Sequence, residues 1–375
     1  MEFLRTPDDR FVGLEDYDFE PHYRSITTAD GTALRFHFID EGPRDADPVL
    51  LLHGNPSWSY LHRKMIRGLV ARGHRVLALD LIGMGRSDKP SNKSDYSLAN
   101  HIDWMGQWLV AEDLTNITLY CQDWGGITGL NLLPFHGERF SRVIASNTGV
   151  PAGEGATKGI ENWLAFVSSV EELPVSGVMQ SGTTRKLSDG EKAAYEAPFP
   201  DGTYQTSPLI FPFLIPVQPH NPGVPMCLEM WDYLETWTKP FLTVFGSEDE
   251  ISYKAGAHLK MQRKIPGTAN QKHIVIEGAS HFIQEDAPDQ LVEIIDRFTK
   301  EDQHYCNSSD VSRLSSSRSR ALRSQVRVPR DQVHRPPQPV PPPAHQTCAT
   351  FVIARYSSSH FPAPNQSRAC TTPTR

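Results

Sequence analysis

The chain has 375 residues, 38% of them hydrophobic, with 30 prolines and a formal net charge of −7, which fits one large domain with an insertion, or two domains. The charge divides unevenly. Residues 303–375 hold ten arginines, no lysine and two aspartates (10 − 2 = +8), leaving 27 Lys/Arg against 42 Asp/Glu, or −15, for residues 1–302. An acidic folded part excludes nucleic acid as the natural partner, and no run approaches the roughly 18 apolar residues of a membrane span.

The start, Met1-Glu2-Phe3-Leu4-Arg5, lacks the basic and apolar regions of a secretory leader. The five cysteines, at 121, 227, 306, 348 and 370, show no metal-ligand spacing. A soluble, cytoplasmic protein is the expectation.

In chain order, residues 1–22 are a polar lead-in. Tyr23–Thr28 and Ala33–Asp40 read as strands around the turn Asp30-Gly31, with Leu34, Phe36 and Phe38 alternating with Arg35 and His37. Val49–Leu52 is a continuous apolar run, as expected of a strand buried on both faces, and it ends in His53-Gly54-Asn55-Pro56. A helical pattern covers Tyr60 to Arg72. Val76–Leu79 is the next buried strand, ending in the Gly-rich loop Asp80-Leu81-Ile82-Gly83-Met84-Gly85. Ser97–Glu112 reads as an amphipathic helix, Ile117–Tyr120 as a strand, and Val143–Ser146 as another.

Strands alternating with helices imply a mostly parallel sheet with right-handed crossovers. Residues 151–230 interrupt that rhythm with many prolines and short helical pieces such as Asp189–Tyr195, and they read as a mostly helical cap. The alternation resumes with strand Phe241–Phe245, helix Tyr253–Lys264, strand His273–Ile276 and helix Ala287–Thr299. The expected organisation is an α/β core (1–150 and 231–302), a helical cap (151–230) and a Ser/Arg/Pro-rich tail (303–375) too poor in apolar residues to fold. Truncation after Asp302 is expected to leave activity and melting temperature unchanged.

The chemistry concentrates at Ile117–Leu130, ITLYCQDWGGITGL. A strand, a tight turn and a helix in that order form the nucleophile elbow of an α/β-hydrolase fold, usually written Gly-x-Ser-x-Gly. Here Asp123 holds the serine's place and Cys121 the first glycine's. A carboxylate on that turn suits attack on a saturated carbon, giving an ester that water then opens. Opening it needs a general base late in the chain, and His281 in Gly278-Ala279-Ser280-His281-Phe282 follows the last strand, on the same carboxyl edge.

The histidine needs an orienting acid. Gly246-Ser247-Glu248-Asp249-Glu250 offers three, of which Asp249 has the best position. The other place for such an acid, after Val143–Ser146, holds Asn147-Thr148-Gly149 and no carboxylate. Backbone N–H groups of Asn55 and Trp124 are the expected oxyanion hole.

Three stretches together resemble the haloalkane dehalogenases: His53-Gly54-Asn55-Pro56-Ser57-Trp58-Ser59-Tyr60-Leu61, Asp80 to Pro90, and Gln122-Asp123-Trp124-Gly125-Gly126. The lead-in Arg5-Thr6-Pro7-Asp8-Asp9-Arg10-Phe11 and the stretch Ala197-Pro198-Phe199-Pro200-Asp201 are similar to that family's first subgroup. The likeness covers residues 1–300 and not the tail. It implies hydrolysis of a small halogenated alkane to an alcohol, halide and a proton, with water as co-substrate and no metal or organic cofactor.

It also explains a tryptophan beside the nucleophile. An indole N–H donates and cannot accept, so it can replace the departing halide's lost hydration without holding the product by charge. The resemblance makes Trp124 the first halide donor. The second is Trp163 in the cap, as in the first subgroup, or the side chain of Asn55, as in the others. Activity is expected to fall on the acid side as His281 protonates.

An epoxide hydrolase would use the same triad with cap tyrosines such as Tyr195 or Tyr204 as proton donors. A noncatalytic ligand-binding protein of the same fold would bind without turnover. Natural substrate and oligomeric state are not legible in the sequence.

Overall fold

The computed structural model describes residues 1–301; the tail expected at 303–375 lies outside the described residues. Eight strands form one sheet: β1 (His22–Thr27), β2 (Ala33–Glu41), β3 (Pro48–Leu52), β4 (Arg75–Leu79), β5 (Ile117–Gln122), β6 (Phe140–Ser146), β7 (Phe241–Gly246) and β8 (Ile274–Ile276). Their spatial order is β1-β2-β4-β3-β5-β6-β7-β8. β2 runs antiparallel to both neighbours, and every other pair is parallel. This is the mixed central sheet of an α/β-hydrolase.

The buried strands are the ones the apolar runs predict. Every residue of β3, β5 and β7 is buried, and Leu50 pairs with Leu77 on one side and Leu119 on the other. Such strands need helices over both faces. α1 (Arg63–Val70) packs against the last described helix (Pro288–Glu301), while α2 (Leu98–Ala111), α3 (Trp124–His136) and α8 (Val224–Leu234) pack together. In α1, Met65, Ile66 and Leu69 fall at helical spacing and are fully buried, each contributing roughly 1.5–3 kcal/mol. Ser97 caps α2, its hydroxyl accepting the Asn100 N–H at 3.1 Å.

The connections leave β3 in opposite directions, first to β4 and then across to β5. Where the strand order reverses, the loops at the carboxyl edge diverge and open a crevice. The loop after β3 carries His53 to Pro56, and the turn after β5 carries Asp123.

Between β6 and β7 the chain forms α4 (Lys158–Ser168), α5 (Val175–Ser181), α6 (Asp189–Glu196) and α7 (Thr206–Leu214), an inserted helical region consistent with a cap. α8 crosses residue 230 and packs on α3. A buried ionic cluster ties the insertion to the core. Arg63 pairs with Glu285 and Glu191, each at 2.5 Å, Arg185 bridges the same two acids, and Tyr195 donates to Glu285 at 2.5 Å. Paired charges of this kind are costly to separate, because removing one partner strands the others without solvent.

One helix is shorter than its sequence pattern. The expected helix from Tyr253 begins at Ala257 as α9 (Ala257–Lys264), behind Gly256 at φ +75°. The backbone N–H groups of Ile251, Ser252 and Tyr253 are instead turned onto the carboxylate of Asp249. The predicted helix from Tyr60 likewise opens as a 3-10 turn, Ser59–His62, before α1.

Candidate active site

Asp123 sits between β5 and α3 with φ 51° and ψ −122°, a left-handed conformation that costs a non-glycine residue of order 1–3 kcal/mol. The neighbourhood makes the turn possible and fixes it. A β-carbon at Gly125 would collide with the carbonyls of Leu52 and His53, and one at Gly54 with the Asp123 carboxyl itself. The Asp123 N–H donates to the Asn147 carbonyl at 3.1 Å, and its own carbonyl accepts from Gly126 N–H and the Thr148 hydroxyl. The side chain therefore projects from a fully determined backbone.

Its two oxygens differ. Oδ1 accepts the backbone N–H of Asn55 at 2.8 Å, while Oδ2 faces His281 Nε2 at 3.4 Å. The imidazole's other nitrogen, Nδ1, lies 3.0 Å from Asp249 Oδ1. Asp249 is completely buried and also takes the Ser252 hydroxyl. Burial alone would raise its pKa; His281, Ser252 and the Ile251 N–H outweigh that and bring it down to about 2. For His281, burial disfavours charge, but Asp249 and Asp123 together hold its pKa well above the ordinary histidine value. Glu248 and Glu250, the two other acids of that turn, are exposed and pair with Lys254.

Two buried amides organise this edge, and neither was singled out in the sequence. Asn147, at φ 36° just past β6, donates to the carbonyls of Ser280 (2.7 Å) and His281 (3.0 Å) and accepts Gly246 N–H at 2.8 Å. With its carbonyl on Asp123 N–H, it fastens nucleophile turn, acid strand and histidine loop to one residue. Gln122 donates to the His281 carbonyl at 3.1 Å. The available signal was Asn at a strand end, where a left-handed backbone is tolerated.

Two cavities meet at Asp123 and His281. One, of about 200 Å³, is lined by Trp124, Trp163, Asn55 and Phe282. Trp124 is 1% exposed, and its indole N–H has no acceptor among the described residues. A buried donor without a partner costs about 1–3 kcal/mol and here marks a place for an acceptor. Trp163, partly buried, lies on the same cavity and stacks on Phe166 at 5.8 Å. The Asn55 amide, on the same lining, donates one of its two N–H groups to the Pro208 carbonyl at 3.3 Å.

A model of the alpha/beta hydrolase fold matches residues 47–172. The chain is 47% identical over 299 residues to a haloalkane dehalogenase of Psychrobacter cryohalolentis, covering 80% of this chain and 98% of that one. It is 46% identical over 294 residues to haloalkane dehalogenase 1 of Mycobacterium bovis (78% and 97% covered). The chain belongs to the haloalkane dehalogenases.

Among solved structures, haloalkane dehalogenase DpaA from Paraglaciecola agarilytica NO2, described as tetrameric, matches with a TM-score of 0.73 at 35% identity, covering 78% of this chain and 97% of that one. The protein is thus a hydrolase that cleaves carbon–halogen bonds. As in any dehalogenase, its site needs no acid for an epoxide oxygen, and neither cap tyrosine lines the two cavities at Asp123. Tyr195 is wholly buried in the Arg63–Glu285 cluster. Among the described residues no three His, Cys, Asp or Glu side chains converge to hold a metal ion, and no helix is long and apolar enough to cross a membrane.

Proposed function

We propose that Asp123 is the nucleophile of this dehalogenase, His281 its general base and Asp249 the acid that orients and charges the base. Oδ1 is committed to the Asn55 N–H, so Oδ2 displaces halide in line from the substrate carbon. The new C–O bond forms as the carbon–halogen bond breaks, and the electron pair leaves with the halide toward Trp124 and Trp163. The single observation that carries this reading is the orphan indole N–H of Trp124, buried beside the carboxylate.

The second step follows from the charges. In the free enzyme two carboxylates hold the imidazolium of His281. Esterification removes the charge of Asp123, so the pKa of His281 falls and the base form becomes available. It then takes a proton from water, whose oxygen attacks Cγ of Asp123. Negative charge develops on Oδ1, where the Asn55 backbone N–H already points, with the Trp124 backbone N–H as the second donor. Collapse passes the attacking water's second proton to the departing alkoxide, releases the alcohol, and returns both the Asp123 carboxylate and the His281 imidazolium. The reaction's one proton is the one His281 gave to solvent on esterification.

We assign the second halide donor to Trp163 rather than Asn55, because the Asn55 amide is anchored to Pro208 through one of its two N–H groups, whereas the Trp163 ring lines the cavity beside Trp124. Calorimetric titration with bromide tests this. Losing one hydrogen bond to a charged group, worth roughly 1.5–3 kcal/mol, should weaken bromide binding at least tenfold in Trp124→Phe and in Trp163→Phe. Weakening in Asn55→Ala with none in Trp163→Phe reverses the assignment. Two free, buried thiols, Cys121 and Cys227, support a reducing, cytoplasmic setting.

A further inference from the structure

The second cavity at Asp123, about 290 Å³, extends away from the tryptophans. Its inner wall is apolar, with Ile127, Val150, Ile160 and Ile215. Apart from Asp123 and His281, the charged residues on its lining are Glu154, Lys260 and Arg263. Ala257, Lys260 and Arg263 are spaced i, i+3, i+6 on α9 and share one face. Along that face the wall changes from a methyl group to cations over a rise of about 9 Å. Ala257 is the deep end, packed against Gly149 just after Asn147.

The charges at the outer end do not cancel. Lys260 pairs with Glu154 and rests 4.6 Å over the Trp231 ring. Arg263 is exposed and has no hydrogen bond or ion pair among the described residues. The outer end therefore carries one unbalanced positive charge above an apolar shaft leading to the nucleophile.

We propose that this chamber accepts the tail of a medium-chain haloalkane bearing an anionic end group, so that ω-halocarboxylates are substrates selected by Lys260 and Arg263. The inference rests on the assignment of Asp123 as nucleophile. The reacting carbon lies at Asp123, the methylenes line the Ile127–Ile215 wall, and the carboxylate meets the half-buried Lys260 and the exposed Arg263, where part of its hydration is kept. At C–C bonds of about 1.5 Å, the 9 Å rise matches roughly six to eight chain atoms. Basic residues also suit the last turn of a helix, but that role acts on stability and is indifferent to the far end of a substrate.

The test compares kcat/KM for bromide release from 6-bromohexanoate, 6-bromohexan-1-ol and 6-bromohexylammonium. The variants Arg263→Gln and Lys260→Gln/Arg263→Gln change the local charge from +1 to 0 and −1. The carboxylate-to-alcohol ratio is expected to fall roughly threefold to fivefold per charge removed, and the ammonium-to-alcohol ratio to rise. Added salt should compress both trends. Ratios that stay constant across the three proteins overturn the subsite even where the alcohol is turned over normally. No bromide release from any of the three compounds counts instead against the nucleophile assignment on which it rests.

Discussion

Replacing Asp249 by Asn should separate the two chemical steps. The acid is fully buried and bonded to His281 Nδ1 at 3.0 Å, so an amide of nearly the same shape keeps the packing and removes the charge. The imidazolium formed as water attacks then loses a unit charge at close range. At a separation of about 4 Å and an effective dielectric constant of about 20, that is worth about 4 kcal/mol, or about a thousandfold in rate. The displacement step uses Oδ2 of Asp123 and no base, so it keeps its rate. Rapid-quench assays should show a first turnover releasing one equivalent of bromide at the wild-type rate, then a steady state about a thousandfold slower, with the alkyl-enzyme accumulating. A first turnover slowed by the same factor would refute the reasoning. An unchanged steady state would move the acid to Glu248 or Glu250.

Gly125→Ala should destabilise the fold by about 1–3 kcal/mol, since the added methyl group meets the Leu52 and His53 carbonyls rather than flexible side chains; urea denaturation measures it, and no change would contradict the close approach. His281 has a raised folded-state pKa, so its interactions contribute stability that is fully present below its unfolded pKa of about 6.5 and lost as pH rises through the folded value. Asp123→Asn, which removes one of the two carboxylates as esterification does, should shift the His281 titration seen by NMR to lower pH; an unchanged or higher midpoint would rule out that coupling. In steady state, activity should fall on the acid side, and a flat profile down to about pH 5 would contradict His281 as the base.

The fold was legible where hydrophobic patterning is strongest. Val49–Leu52 and Ile117–Tyr120 are apolar throughout because both faces of β3 and β5 are covered, and neighbouring small residues announce the turn at Asp123. Asp249 and His281 could be chosen from position alone, because the loops after parallel strands all reach one edge. What stayed hidden depends on contacts distant in sequence. Asn147 looked like an acid site left empty, yet it ties β7 and the His281 loop to the nucleophile turn. The segment after Asp249 has a helical pattern, but the buried carboxylate recruits its first N–H groups and delays α9 to Ala257. Asn55 and Trp163 were both candidates in the sequence, with Trp163 favoured by the likeness to the first subgroup; the contact of the Asn55 amide with the Pro208 carbonyl, 153 residues away, was not legible there.

The most direct test of the covalent mechanism is the intact mass of His281→Phe after incubation with 1,2-dibromoethane or 1-bromobutane. Without its base the enzyme should stop at the ester. The account predicts a stoichiometric mass increase of one alkyl group less one hydrogen, bromide release to match, and loss of both in Asp123→Asn. No adduct, or an adduct that survives Asp123→Asn, would contradict it.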